Sequence, residues 1–476
     1  MNAAPTHFDF IVIGGGPAGQ KAAVQAAKEG HSVALLERDR QVGGACVHRG
    51  TIPSKTLRES VLQLTRFRQQ ASDFAIELAD DVQMSGLLTR LQSVIQAHSS
   101  FMQDQLERNA IVQLHGQGRF LSDHDLEVSH PDGSTLRLSA SHYVIATGSR
   151  PRNPDNVPVD HEHIYDSDSI LSMIYIPESI TVLGGGVIAC EYASILAVLG
   201  CRVTVVDRAE RPLRFMEAEL CERFVATLER FGGRFIGGAS ADTLAWDGVS
   251  RVHCQLDNGT VLESEKVLFA LGRVANVERL GIDNTGIQTT ARGLIEVDEH
   301  YRTAVAHIYA VGDVIGPPAL ASTSMEQGRQ AVCHALGLPM GHLARTIPVG
   351  IYTIPEMASV GMTEAAVREA YGGAVAGFAR FEEIARGQIS GVQDGLLKLV
   401  VDPVERRIHG VHIVGEGAAE LIHIGQMAVL KDMRVDELVE NIFNFPTLAE
   451  AYRVAALDVC GRLDRVATDS RVAETA

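Results

Sequence analysis

The sequence predicts an α/β fold built on two Rossmann-like dinucleotide-binding units, and three observations support it. A short apolar strand, Phe8 to Ile13, runs into Gly14-Gly15-Gly16-Pro17-Ala18-Gly19, then an Ala-rich helical stretch to Glu29 and a second strand ending in the acid Glu37. The same order returns as Ile180 to Leu183, Gly184-Gly185-Gly186-Val187-Ile188-Ala189, a helix through Leu196 and a strand from Arg202 to Asp207. At 476 residues, 46% of them apolar, the chain is long enough for roughly three domains.

In the first unit Gly14 permits a tight turn, Gly16 lets the backbone approach a pyrophosphate, and Gly19 lets helix pack on strand. The helix N-terminus adds partial positive charge. Glu37 stands close to the roughly 20-residue spacing expected of the acid that binds a ribose hydroxyl pair. In the second unit Gly184, Gly186 and Asp207 take these places. Gly184 follows Gly14, and Asp207 follows Glu37, by the same 170 residues, which predicts two folds of matched geometry. One would hold a permanent cofactor and the other a visiting one. Asp207 favours the 2′-hydroxyl of NAD(H), while Arg208 and Arg211 just beyond it can turn to the 2′-phosphate of NADP(H). The alternative, that both are ordinary surface arginines, stays open.

The formal charge of −17 argues against nucleic acid or an anionic membrane surface as a partner, since both need a basic patch. The first residues lack the basic region of a signal peptide, and no apolar stretch reaches transmembrane length. Seven cysteines are scattered without metal-ligand spacing, which suits a reducing cytoplasm and predicts neither a structural disulfide nor a metal.

Several segments together resemble the two-dinucleotide-binding flavoproteins of the pyridine nucleotide-disulfide oxidoreductase superfamily. Gly43 to Lys55 (GGACVHRGTIPSK) resembles their redox-disulfide segment, with Thr51 where they carry a second Cys. Tyr143 to Pro151 resembles the crossover leaving the FAD domain, Ala270-Leu271-Gly272-Arg273 the return, and Tyr309 to Val314 the second FAD motif. Ile351 to Glu356 and the helical segment Glu420 to Leu430 resemble the C-terminal dimerisation domain. The resemblance implies an FAD-binding domain over 1–152, an NAD(P)-binding domain over 153–275, a return to the FAD domain over 276–345 and an α+β dimerisation domain over 346–476. It places Gly118, Thr147, Gly148 and Gly272 among the cofactor-binding residues, with Asp313 accepting hydrogen bonds from the ribityl hydroxyls.

Within the superfamily the chain is similar to the soluble, Si-specific pyridine nucleotide transhydrogenases. They share Gly-Thr-Ile-Pro-Ser-Lys at 50–55, the run Ile164 to Met173 and the ending Pro446 to Arg453. Two positions depart: Arg49 stands for Trp, and Phe445 for Tyr. By resemblance Lys55 sets its ammonium near flavin N5, pairs with Glu191 and stabilises the charge of the reduced flavin. These two are the catalytic candidates. Cys46 lacks a resolving partner and is read as packing, although a thiol near a helix start can have a lowered pKa. His48 is read as structural. Phe445 and Glu450 are expected to come from the partner subunit of a homodimer, Phe445 as an apolar wall and Glu450 with a catalytic or a purely structural duty. Whether dimers assemble further stays open.

A disulfide reductase needs a thiolate and a base to move its proton. Lacking the second Cys, and with Phe445 where the superfamily has its catalytic His, the chain is expected to transfer hydride from NADPH to NAD⁺ through FAD by a ping-pong route. Two rivals remain: an NAD(P)H oxidase or quinone reductase of the same fold, and a non-catalytic redox-sensing flavoprotein scaffold.

Overall fold

The computed structural model of the protein describes residues 6–74, 84–340, 346–392 and 394–474. Met1 to Pro5, read above for targeting, and the boundary expected at 345 lie outside the described residues. The described residues group into two compact units. The first is drawn from Met1–Ser60, Asp80–Tyr175 and Phe269–Leu343, the second from Val61–Ala79, Ile176–Leu268 and Ala344–Ala476.

The first unit is organised by a mostly parallel sheet. Its strands run in the order Val112–His115, Val33–Glu37, His7–Ile13, Thr135–Ile145, Asp125–Ser129, Gln117–Phe120, and Ile308–Ala310 also pairs with Thr135–Ile145. Phe10, Ile11 and Val12 are fully buried, as expected of a strand covered on both faces. The helix Pro17–Lys28 opens on Gly16 with Pro17 in its first turn, and the chain leaves it through Gly30 at φ +85°. Its Ala18, Ala22, Ala23 and Ala26 form a buried face of small side chains. The helix Ala321–Ala335 approaches so closely that a Cβ at Gly328 would stand 2.1 Å from the Ala18 carbonyl oxygen.

In the second unit the strands Arg234–Ile236, Arg202–Val206, Ser179–Leu183 and Lys266–Phe269 follow one another in a sheet that flanks the helix Val187–Val198. That helix buries Ala189 through Ala197 without interruption, so it lies inside the unit. The same unit contains a three-stranded antiparallel sheet over 241–264 and a five-stranded antiparallel sheet over 349–414. The helices Ala418–Leu430 and Glu450–Glu474 share a core with the five-stranded sheet. Each fully buried Leu, Val or Ile there contributes about 1.5–3 kcal/mol.

Among the described residues no helix is long and apolar enough to cross a membrane. All seven cysteines are free.

Candidate active site

The first glycine turn has the geometry that its spacing predicts. Gly14 has φ +111°, and a Cβ there would stand 2.3 Å from the Ala146 carbonyl oxygen. A Cβ on Gly19 would stand 1.9 Å from the Gly14 oxygen, so only glycine lets the helix start this close to the strand. Gly16 and Gly44 face each other with no side chain between them. The helix beyond Gly16 has no side-chain cap, which leaves its first N–H groups to an anion. A pyrophosphate fits this cradle.

Glu37 is held from both sides: Gly15 N–H donates to Oε2 at 2.8 Å and Asp39 N–H to Oε1 at 3.0 Å. Burial pushes its carboxyl above the usual carboxylate value, and the backbone donors only partly offset this. In the second turn Gly185 N–H donates to Asp207 Oδ2, and Ala209 N–H to Oδ1 at 2.7 Å. Gly184 has φ +117°, and nothing lies within 4 Å of a Cβ at Gly186. The helix that follows Gly186 is likewise uncapped.

In the first unit, the short helix Gly44–His48 and the start of the helix Thr51–Asp73 carry Cys46, Thr51 and Lys55. Burial pushes the Cys46 thiol up; the Thr51 hydroxyl and the Lys55 ammonium pull it down, and Asp313 adds to the rise. The balance leaves the thiol above its ordinary pKa beside Thr51, the residue that stands where a disulfide would need its second sulfur. Lys55 Nζ donates to Ser54 Oγ at 3.2 Å. The His48 ring bonds the Val42 carbonyl oxygen at 2.9 Å, a structural contact.

Asp313, the expected ribityl acceptor, takes a hydrogen bond from Ser149 Oγ at 2.7 Å. Arg273 in turn donates to Ser149 Oγ at 2.9 Å and to the Asp168 carboxylate at 2.9 Å. Arg49 continues the chain, 4.0 Å from Asp168 and 3.0 Å from Asp39. The result is a row of alternating charge from the loop after Glu37 to the acid beside the thiol. Thr147 and Asn276 exchange side-chain and backbone bonds at 2.8 and 2.9 Å, and Asn276 N–H donates to the Gly148 carbonyl. Gly148 and Gly272 both have positive φ with open space at Cβ. Gly118 also has a packing reason: a Cβ there would stand 2.5 Å from Leu36.

In the second unit Glu191 is buried and accepts the Tyr352 N–H at 3.0 Å. Arg211 donates to the carbonyls of Met216 and Arg214 at 2.9 and 3.0 Å, so its guanidinium braces the loop after Asp207. Arg208 exerts its charge on Asp257, whose carboxyl is held low chiefly by Ser240. Phe445 is 69% exposed, and Glu450 Oε2 is buried without a hydrogen-bond partner among the described residues of the single chain.

Residues 8–328 match the pyridine nucleotide-disulphide oxidoreductase family, and residues 347–456 match its dimerisation domain. The chain belongs to this family. It is 42% identical over 458 residues to the soluble pyridine nucleotide transhydrogenase of Mycobacterium bovis strain BCG, covering 96% of this chain and 98% of that one. A protein of the same description from Colwellia psychrerythraea is 40% identical, again covering 96% and 98%. Among solved structures, LpdA from Mycobacterium tuberculosis matches with TM-score 0.87 at 27% identity, covering 95% of this chain and 99% of that one. Family members bind FAD, which fits the glycine cradle, Glu37 and Asp313 described here.

Sequence reasoning missed the Asp39–Arg49–Asp168–Arg273–Ser149 row. Asp168 lies within a run that the sequence did single out, Ile164 to Met173, but its partners come from distant segments. The pull of the Thr51 hydroxyl on the Cys46 thiol was equally hidden, because the absence of a cysteine does not reveal what the replacing hydroxyl does.

Proposed function

We propose that this protein transfers hydride from NADPH to NAD⁺ through bound FAD, as a soluble pyridine nucleotide transhydrogenase. The observation that supports this reading most directly is Cys46: a free thiol that burial pushes up, with Thr51 where a second cysteine would have to stand. It offers neither a nucleophile nor a partner for a dithiol. The full-length similarity to proteins described as soluble transhydrogenases points the same way.

FAD, when bound, supplies the hydride acceptor and donor that the side chains lack. The chain's own residues bind, orient and screen it. The uncapped helix beyond Gly16 receives the pyrophosphate, Glu37 the adenosine ribose and Asp313 the ribityl chain, with Gly118, Thr147, Gly148 and Gly272 lining the cofactor. Ser149 and Arg273 hold Asp313 in one orientation. Lys55 places a positive charge where negative charge develops on reduction. Gly184, Gly186 and Asp207 receive either nicotinamide nucleotide in turn. Arg208 is the cation left for a 2′-phosphate, since Arg211 is engaged with backbone carbonyls. Glu191, a buried carboxylate that accepts the Tyr352 N–H, stands on the nicotinamide side of the site. The dimerisation domain supports a homodimer in which exposed Phe445 and Glu450, with its buried Oε2 unbonded among the described residues, face the partner's site. Residence in the cytoplasm is part of the proposal.

The test is steady-state transfer from NADPH to a thio-analogue of NAD⁺ by the purified yellow protein. Rapid transfer with slow reduction of benzoquinone and of lipoamide is expected. Lys55→Ala should keep FAD and lose about a hundredfold in turnover. Fast quinone or disulfide turnover with negligible transfer to NAD⁺ would overturn the reading.

A further inference from the structure

The long strand Thr135–Ile145 shares its outer edge between two partners. Asp125–Ser129 pairs with its first half, ending at Asp125 opposite Ser139, and Ile308–Ala310 pairs with its last residues, beginning at Ile308 opposite Tyr143. Where the two partners meet, the turn before Asp125 stands against the residue before Ile308. Asp123, His124 and His307 are thereby brought together, with one side-chain ligand atom from each lying within 4.8 Å of the others.

The backbone beneath this cluster is fixed. Tyr143, fully buried, donates its hydroxyl hydrogen to the His124 carbonyl at 2.6 Å and accepts the Ala140 N–H at 3.0 Å. Its own N–H donates to the His307 carbonyl at 2.9 Å. The imidazole chemistry is fixed too. His307 Nε2 lies 2.8 Å from the Asp123 carbonyl oxygen, which can only accept, so Nε2 carries the hydrogen and Nδ1 of the neutral ring carries the lone pair. A ring N–H given to a backbone carbonyl is how proteins orient a metal-binding histidine. The His124 ring stacks on His307 with centroids 4.3 Å apart and an interplanar angle of 2°, and its Nε2 is 3.9 Å from Asp123 Oδ2. Its side chain is 67% exposed, so it can rotate and aim a nitrogen at the same point. The neighbouring Asp125 is engaged by Arg137 and Ser122, which leaves Asp123 as the carboxylate for the site.

We propose that Asp123, His124 and His307 form a binding site for a divalent transition metal of the zinc, nickel or copper type. Two imidazoles and one carboxylate suit these ions over magnesium or calcium, and three protein donors leave a position for water. The bound ion would clamp the turn at 123–124 to the segment that leads through Ile308–Ala310 to Gly312 and Asp313. The cysteine spacing that predicted no metal could not register this cluster, because His307 lies 184 residues from Asp123.

Isothermal titration of the FAD-loaded full-length protein with ZnCl₂ tests the site. One ion per chain is expected. His124→Ala and His307→Gln should each weaken binding about tenfold or more, with FAD content and hydride transfer unchanged. Gln at 307 retains a donor for the Asp123 carbonyl, so a folding defect is distinguishable from a lost ligand. Cobalt(II) should give visible d–d absorption in the wild type that both variants lose. No stoichiometric zinc binding, or binding undiminished in both variants, overturns the proposal.

Discussion

The two glycine turns repeat each other hydrogen bond for hydrogen bond. Gly14 N–H donates to Leu36 O and Gly184 N–H to Val206 O, both at 2.8 Å; Gly43 N–H donates to Gly15 O and Leu213 N–H to Gly185 O, again both at 2.8 Å. Glu37 and Asp207 each accept one N–H from the glycine turn and one from two residues ahead. What surrounds the frames differs. The first forbids a side chain at Gly19, whereas the second has Ala189 at the matching place. Beyond the acid, the first leads into the partly solvated row Asp39–Arg49–Asp168, and the second into a buried cluster. There Lys398, 1% exposed, meets Glu217, Glu219 and Glu364 at 3.0, 2.8 and 2.9 Å. A shared backbone frame can therefore receive a nucleotide in either case, while the means of stabilising it are set by local packing.

The sharpest test sets the two charge networks against each other. Lys398→Met leaves three carboxylates facing one another without their cation and should cost about 3–5 kcal/mol. Arg49→Ala, in an exposed network, should cost less than about 1 kcal/mol. Urea unfolding of the two variants measures both, and equal losses would erase the distinction.

The next test exchanges the third small residue of each turn. Gly19→Ala drives a methyl group into the Gly14 carbonyl and should cost about 3 kcal/mol, with loss of the yellow FAD absorbance. Ala189→Gly costs only helix propensity, about 1 kcal/mol. Thermal unfolding and flavin content per chain report the pair, and FAD retention by Gly19→Ala would break the assignment of the first turn.

A smaller effect separates the two regions by pH. Burial pushes the Glu217 carboxyl up, but the Glu364 N–H and the Lys398 ammonium outweigh it, so its folded pKa lies below the ordinary 4.5. Its contribution is thus complete above pH 4.5 and is lost as pH falls through the lowered value. His412, kept neutral by burial beside Ser359 and Met362, adds to the loss because acid must charge it. Glu37 has the opposite sign: its raised pKa makes the folded state bind the proton more readily, so acid favours it. Glu217→Gln should be less stable at neutral pH, yet lose stability less steeply below pH 4.5, by at most about 1.4 kcal/mol per pH unit. An unchanged acid slope would remove Glu217 from the account.

Both βαβ units were legible because their information is local. Glycine spacing, apolar strands and a terminal acid lie within a few tens of residues, and backbone sterics turn that order into one geometry. The positions of Lys55 and Asp313 followed from motif resemblance. Lys398 was not legible: Leu396-Leu397-Lys398-Leu399-Val400 reads as a buried strand interrupted by a charge, with nothing to name its three partners. Spacing offers Arg211 to a phosphate, but its engagement with the carbonyls of Arg214 and Met216 depends on a loop conformation that spacing does not encode.

By itself, then, the chain's order of residues determined the paired nucleotide frames, the lack of a second thiol and the family to which the protein belongs. Those features are written in contiguous segments, where steric and hydrogen-bonding rules act over a few residues. Only the tertiary structure decided that burial raises the Cys46 thiol, that Arg49 bridges two aspartates, that Lys398 lies among three carboxylates and that His124 stacks on His307. Each of these depends on segments meeting in space, where burial and charge are set by neighbours that sequence proximity does not reveal.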